Sequence, residues 1–175
     1  MSTFDFRPWL EGAQLSLRPI SEDDFEQLYA AAADPLIWAQ HPDPQRHRRE
    51  IFLANFFAGA ISSPGALIVI DKLGGGIIGS SRYYDWNPDR REVAIGYTFL
   101  ARSHWGGAAN SEMKRLMLDH AFGHVDTVWL HIGSSNLRSR RAAEKIGARF
   151  SHEEVRTLAG LSVPYAFYRL DKPRA

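Results

Sequence analysis

The chain has 175 residues, 45% hydrophobic and 23% charged, with a formal net charge of +1 and no cysteine. That length suits one domain able to bury roughly two-thirds of its unfolded surface, and the near-zero charge argues against a nucleic-acid partner, which would need a clustered basic excess. Without cysteine there are no disulfides, thiolate nucleophiles or cysteine-bound metals, and without a signal-like start or an apolar run near the roughly 20 residues of a membrane span, a soluble cytoplasmic protein is expected.

Leu15 and Leu17 alternate with polar neighbours and predict a short strand ended by Pro19. Ser21 then opens a helix, its hydroxyl reaching the amide three residues on, with Glu22, Asp23 and Asp24 at the positive end of the dipole. Phe25, Leu28 and Tyr29 share a face, and Asp34-Pro35 ends the segment. Arg46, His47, Arg48 and Arg49, beside Glu50, read as a solvated helix face. The apolar side of that second helix is Ile51, Phe52 and Phe56, and it runs to about Gly59.

From Ala66 the pattern becomes strand-like. Apolar runs at 67–70 and 77–78 flank Asp71-Lys72-Leu73-Gly74-Gly75-Gly76, a hairpin with a glycine turn. It is not read as a phosphate loop, because no Lys-Ser/Thr pair and no helix follow. A strand at 92–100, a helix at 107–123, a strand at 128–132, a helix at 136–146 and strands at 148–155 and 165–170 complete the order. Met113, Leu116, Met117, His120 and Ala121 form one stripe of the first of these helices. The order suits a mixed α/β sheet with a parallel centre in a single domain, 1–175, with no repeat or linker.

Strand 92–100 predicts one face of Val93, Ile95, Tyr97 and Phe99 and a second, small and polar face of Glu92, Ala94, Gly96 and Thr98. The second face suits close approach by a ligand or by a packed helix. The strand runs through Leu100 into Trp105-Gly106-Gly107-Ala108-Ala109-Asn110, where small residues between strand and helix let successive amides point into one concavity at the positive end of the helix. That arrangement suits a pyrophosphate. It matches neither the dinucleotide fingerprint nor the nucleotide-triphosphate loop. After strand 128–132, Asn136 and Ser139 lie three apart on the first turn of a helix that Gly147 stops, a spacing that by itself describes an ordinary capped helix.

Together, the strand, the W-G-G-A-A-N turn, and N-x-x-S followed by E-K-x-G resemble the GNAT superfamily of acyl-CoA N-acyltransferases. The branch it is most similar to includes the ribosomal-protein N-terminal acetyltransferases. The resemblance extends to L-R-P-I-S-E-D-D-F at 17–25 and I-I-G-S-S-R at 77–82. It implies an α/β GNAT fold: a mixed, mostly antiparallel central sheet with a splayed parallel strand pair, flanked by about four helices. It implies acetyl-CoA in the gap between strands 92–100 and 128–132, its pyrophosphate on the amides of Trp105, Gly106, Gly107, Ala108, Ala109 and Asn110. The pantetheine arm would run beside Phe99 and Leu100, reached from the other wall by Asn136, with Ser139 near the sulfur. The acetyl group would pass directly to an amine, a protein N-terminus or a small molecule, with no metal required. A strand amide near 97–99 would hold the oxyanion.

Three positions depart from the family pattern. Ala94 stands where a glutamate commonly precedes I-G-Y, which leaves Glu92, displaced by about 6–7 Å along the same face, as the candidate base. Ala143 stands where a tyrosine acid is common, which leaves Ser139 as proton donor, and Ala108 replaces a glycine of the turn. His131, paired with Trp129 on one face of its strand, is a second candidate base or a packing residue. His120 and His124 lack a third ligand nearby, so no metal site is expected. Tyr83, Tyr84 and Trp86 could line the acceptor pocket or cover the core. Ala94 also keeps open a CoA-binding sensor or partner module with reduced chemistry. The acceptor's identity is not legible, and a sheet edge near the C-terminal strand leaves a homodimer open.

Overall fold

A computed structural model of the chain describes residues 3–158 and 160–175. Eight strands form one sheet in the order β1-β2-β3-β4-β5-β6-β8-β7. They are β1 Leu10–Glu11, β2 Leu15–Pro19, β3 Ala66–Asp71, β4 Ile77–Asn87, β5 Glu92–Leu100, β6 Thr127–Gly133, β7 Arg149–Leu158 and β8 Leu161–Asp171. Every neighbouring pair is antiparallel except β5 and β6, so the expected parallel centre consists of that one pair. The C-terminal strand β8 is interior, and the exposed edge beside it is β7.

Helices cover the two faces unequally. On the first face, α1 Phe25–Ala32, α2 Pro35–Trp38, α3 Arg49–Phe52 and α4 Ala58–Ser62 pack Leu28, Trp38, Phe52 and Ala60 against Ile68 and Phe99. That core holds no residue of β6, β7 or β8, so the first face of the sheet is open over these strands. On the second face, α5 Ala109–Phe122 and α6 Leu137–Lys145 bury Met113, Met117 and Ala143 on Leu17, Val69, Val93, Ile95, Val128 and Tyr168. No helix among the described residues is long and apolar enough to cross a membrane.

Local chemistry explains the element ends. Ser21 caps a short 3-10 turn, accepting from the Asp23 amide, while Asp24 returns the bond to the Ser21 amide at 2.7 Å. Asp34-Pro35 ends α1 and also starts α2: Asp34 Oδ1 accepts from the Leu36 amide at 3.0 Å, and proline sits in the first turn, where its missing N–H costs nothing. A π-helical turn, Leu53–Phe57, joins α3 to α4. The wider turn keeps Phe52, Phe56, Phe57 and Ala60 all facing the core.

The feature that shapes the site is in β5. Ser80 pairs with Phe99 and Arg82 with Gly96, so two steps on β4 match three on β5. This bulge contains Tyr97 at φ 50°, a conformation that strains a non-glycine residue by about 1 kcal/mol or more. It resets the alternation. Val93 and Ile95 belong to the α5-side core, whereas Phe99 belongs to the opposite one. The expected single face of Val93, Ile95, Tyr97 and Phe99 is therefore broken at Tyr97, because strict two-residue periodicity cannot register an inserted residue.

Candidate active site

The parallel pair is short. β5 and β6 are in register only at Glu92 with Thr127, Val93 with Val128 and Ala94 with Trp129. Beyond Ala94, β5 stays with β4 up to Leu100, and β6 stays with β8 up to Gly133. The two strands thus open into a cleft whose facing backbone edges have no partner strand and can bond a ligand.

On the β5 wall, the chain turns through a 3-10 segment, Arg102–His104, into α5. Trp105 Nε1 donates to the Leu100 carbonyl at 2.9 Å, folding the indole back along the strand end. Gly106 has φ 73°, and the space that a Cβ would occupy at Gly106 or Gly107 is open. Ala108 is the N-cap of α5 and offers no side-chain cap. The amides of Ala108, Ala109, Asn110 and Ser111 are therefore the uncapped donors of a 14-residue helix, at its positive end. The turn is pinned from outside by the Arg102–Asp34 ion pair and by His104 Nε2 against Asp71 Oδ2 at 3.1 Å.

On the β6 wall, Asn136 is buried at the start of α6, and its Oδ1 accepts from the Ser139 amide at 3.3 Å. The capping reading is thus realised, and Nδ2, a donor, is what the side chain has left for a ligand. Ser139 is part-exposed in the first turn of α6, close to Asn136 as the spacing required. Arg138 joins the two walls: its guanidinium lies 3.9 Å from the Trp105 ring centre and donates to the Ile37 carbonyl at 2.9 Å. Nothing in the local pattern marks Arg138, since both partners lie far away in the chain. Pro42 packs so tightly on Gly133 that a Cβ there would sit 2.5 Å from its Cγ, which seats the 39–43 loop over the end of β6.

The first face over β4–β8 is lined by polar and aromatic groups. His131 Nδ1 is 2.9 Å from the Tyr84 hydroxyl, and its ring stacks on Phe167 at 4.1 Å. Burial, with the charges of Arg156 and His152, pulls the His131 pKa down to about 4, so the ring is neutral at physiological pH. Burial and the nearby Tyr97 and Asp85 raise the Tyr84 pKa, which keeps its phenol protonated. Glu92 lies elsewhere, at the closed end of the strand pair, accepting from Trp129 Nε1 at 3.0 Å with Arg90 at 3.7 Å. Five residues separate it from the bulge, roughly 16 Å at strand spacing.

Arg46 and Arg82 also border this face. The expected solvated face at 46–49 holds for Arg48 and Arg49 but not for Arg46, which is 3% exposed and turned inward against Trp38 and Phe56. Tyr83 is buried, donating to the Met117 carbonyl at 2.7 Å, and so belongs to the core rather than to a pocket. His120 and His124 pack on Phe4, and His120 Nε2 donates to the Asp5 carbonyl at 2.8 Å.

Residues 14–149 match the family model described as an acetyltransferase (GNAT) domain. The chain belongs to the GNAT acetyltransferase family. Solved structures agree. A GCN5-related N-acetyltransferase from Brucella melitensis superposes with TM-score 0.82 at 21% identity, over 94% of this chain and 79% of that one. A GNAT-family acetyltransferase from Bacillus anthracis gives TM-score 0.70 at 16% identity, over 94% and 98%. The ribosomal L7/L12 alpha-N-protein acetyltransferase RimL, in complex with coenzyme A, gives TM-score 0.70 at 15% identity, over 94% and 98%. These identities support the fold alone. No curated protein matches the chain by sequence.

Proposed function

We propose that this chain transfers the acetyl group of acetyl-CoA to a primary amine, in the cytoplasm, by direct attack within a ternary complex. The observation that carries this reading is the cleft that opens past Ala94 and Trp129, with the Tyr97 bulge on one wall and Asn136 and Ser139 on the other. The uncapped amides at 108–110 hold the pyrophosphate. Phe99 and Leu100 follow the pantetheine arm, and Asn136 Nδ2 donates to it. The amine nitrogen attacks the thioester carbon, the carbonyl electrons move onto oxygen beside the bulge amides, and collapse breaks the C–S bond. Ser139 passes a proton to the leaving thiolate and regains one from solvent, which in the end also takes up the proton lost by the amine.

An α-amine, with a pKa of about 7.7–8.0, needs little help to lose its proton, and a lysine-like amine at about 10.4 needs more. Of the two candidate bases, His131 lies on the acceptor face past the opening, whereas Glu92 lies at the closed end. Proton removal therefore falls to neutral His131, with Tyr84 as its hydrogen-bond partner. Replacing His131 with glutamine is expected to lower kcat/KM about tenfold and shift the pH–rate profile, while Glu92→Gln leaves that profile in place; the reverse result would return the role to Glu92. Release of free thiol from acetyl-CoA, over a panel of peptides, polyamines and small amines, tests the transfer itself. Tight binding of acetyl-CoA with no release on any amine would instead indicate a CoA-binding module.

Asn136→Ala carries two separable costs. Loss of the cap should lower stability by about 1 kcal/mol, and loss of the donor should weaken CoA binding about tenfold, as read by calorimetry.

A further inference from the structure

Arg82, in the middle of β4, is 7% exposed. Its Nε is sealed from solvent without a hydrogen-bond partner, the one such buried side-chain atom among the described residues. Its only bond there is a long one, Nη2 to the Phe56 carbonyl at 3.4 Å, an acceptor placed by the π-helical turn. Among the described residues, no carboxylate lies within ion-pair distance of it. Arg46, also buried, stands near enough for its charge to disfavour that of Arg82, and it has one carboxylate, Asp43, at 3.2 Å. Asp43 is shared further with Asn55 Nδ2 at 3.0 Å. Of the two buried guanidinium groups, only Arg46 thus has an acid.

The rings around Arg82 compensate only in part. Its guanidinium lies 3.9 Å from the Tyr97 ring centre and 5.7 Å from that of Phe56. Ring faces attract a cation but neutralise no charge. A buried charge without a counter-ion lowers stability, so its presence calls for a partner from outside. The location says which side that partner comes from. Tyr97 is the bulge residue, its ring contacts both Arg82 and Tyr84, and Tyr84 bonds His131. The free cation is therefore on the acceptor side of the reacting carbon, on the face opposite α5.

We propose that Arg82, supported by Arg46, binds a carboxylate carried by the amine acceptor. This deepens the transfer reading and rests on it for the word acceptor. The planar Nε–Nη edge suits the two oxygens of a carboxylate, and the Tyr97 ring turns aside to admit them. The acceptor is then an amino acid, or a peptide with an acidic residue close to its terminal amine.

Two arms test this on the full chain. First, thiol release is compared for matched acceptors that differ only in charge: dipeptides beginning with aspartate or asparagine, and free amino acids against their amides. Wild type should favour the carboxylate member at least tenfold in kcat/KM, and Arg82→Gln should cut that ratio about tenfold, with Arg82→Lys recovering part of it. The arm in which preference appears tells the small molecule from the peptide. Equal rates in wild type, or equal losses on both members of a pair, would overturn the proposal. Second, binding of N-acetylaspartate and N-acetylasparagine amide is measured by calorimetry in the presence of CoA. Charge-dependent binding lost in Arg82→Gln upholds the anion site even if no amine is acetylated, in which case only the transfer reading falls. If Arg82→Gln does not fold, Arg82→Met takes its place. That variant should melt no lower than wild type, whereas a drop of several degrees would make Arg82 a structural residue and contradict the site.

Discussion

Replacing Ser139 with alanine is expected to lower kcat between tenfold and a hundredfold while leaving the affinity for CoA within about twofold. Proton transfer to a reacting group commonly contributes 10²–10⁴ in rate, and a thiolate, with a free thiol pKa near 8.5, leaves with less help than an alkoxide would. The expected loss therefore lies at or below the lower end of that range. The fold should not register the change. It is the backbone amide of Ser139, not its hydroxyl, that Asn136 holds, and alanine keeps that amide. Alanine is also at least as good a helix former. A fall in turnover with an unchanged melting temperature isolates the hydroxyl's chemical role. Unchanged turnover would remove Ser139 as proton donor and leave solvent to protonate the sulfur.

Acidification from pH 7 to about 4.5 is expected to destabilise the protein. His131 is held at a pKa of about 4 and His41 at about 3, in both cases chiefly by burial, with Arg46 adding to the effect at His41. The unfolded chain takes up these protons near 6.5. Between 6.5 and 4 the unfolded state therefore binds more protons than the folded one, so stability is complete above 6.5 and falls as the pH drops through this window. Each group can contribute on the order of 3 kcal/mol by pH 4. The geometry explains why His41 resists: its Nδ1 accepts from the Asp43 amide at 2.9 Å, and a proton there would break the bond that orders the 39–43 loop. Urea unfolding at pH 7 and 4.5 measures the loss, and His41→Gln should remove about half of it. Equal stability at the two pH values would mean that both rings are already accessible to protons. Asp34, Asp71 and Asp126, held below the ordinary carboxylate range chiefly by hydrogen bonds from Arg102, His104 and Arg91, lose their contribution only at lower pH.

Much of the proposed cofactor side was legible as local structure. The turn at 105–110, the N-cap at Asn136 and the hydroxyl three residues later are short-range patterns, and a helix start has chemistry that a sequence displays. Strand 92–100 was legible as a strand, but not as two half-strands of opposite phase, since one inserted residue at Tyr97 inverts every side chain after it. The acceptor side was almost opaque. Arg46 sits in a run of basic residues that composition describes as solvated, and only its packing on Trp38 and Phe56 separates it from Arg48 and Arg49. Arg82, Tyr97 and Phe56 meet across 26 and 15 residues of chain, and Tyr84 meets His131 across 47. No spacing rule reaches that far. Glu92 illustrates the converse: strand phase placed it on the same face as Ala94, but phase carries no information about which end of the pair opens.

The most direct measurement is a crystal structure of the chain with CoA bound. The pyrophosphate is expected within hydrogen-bonding distance of the amides at 108–110, the pantetheine arm between β5 and β6, and the sulfur between the Tyr97 bulge and Ser139. CoA bound outside the splayed strand pair, or with its sulfur turned away from Tyr97 and Ser139, would contradict this placement.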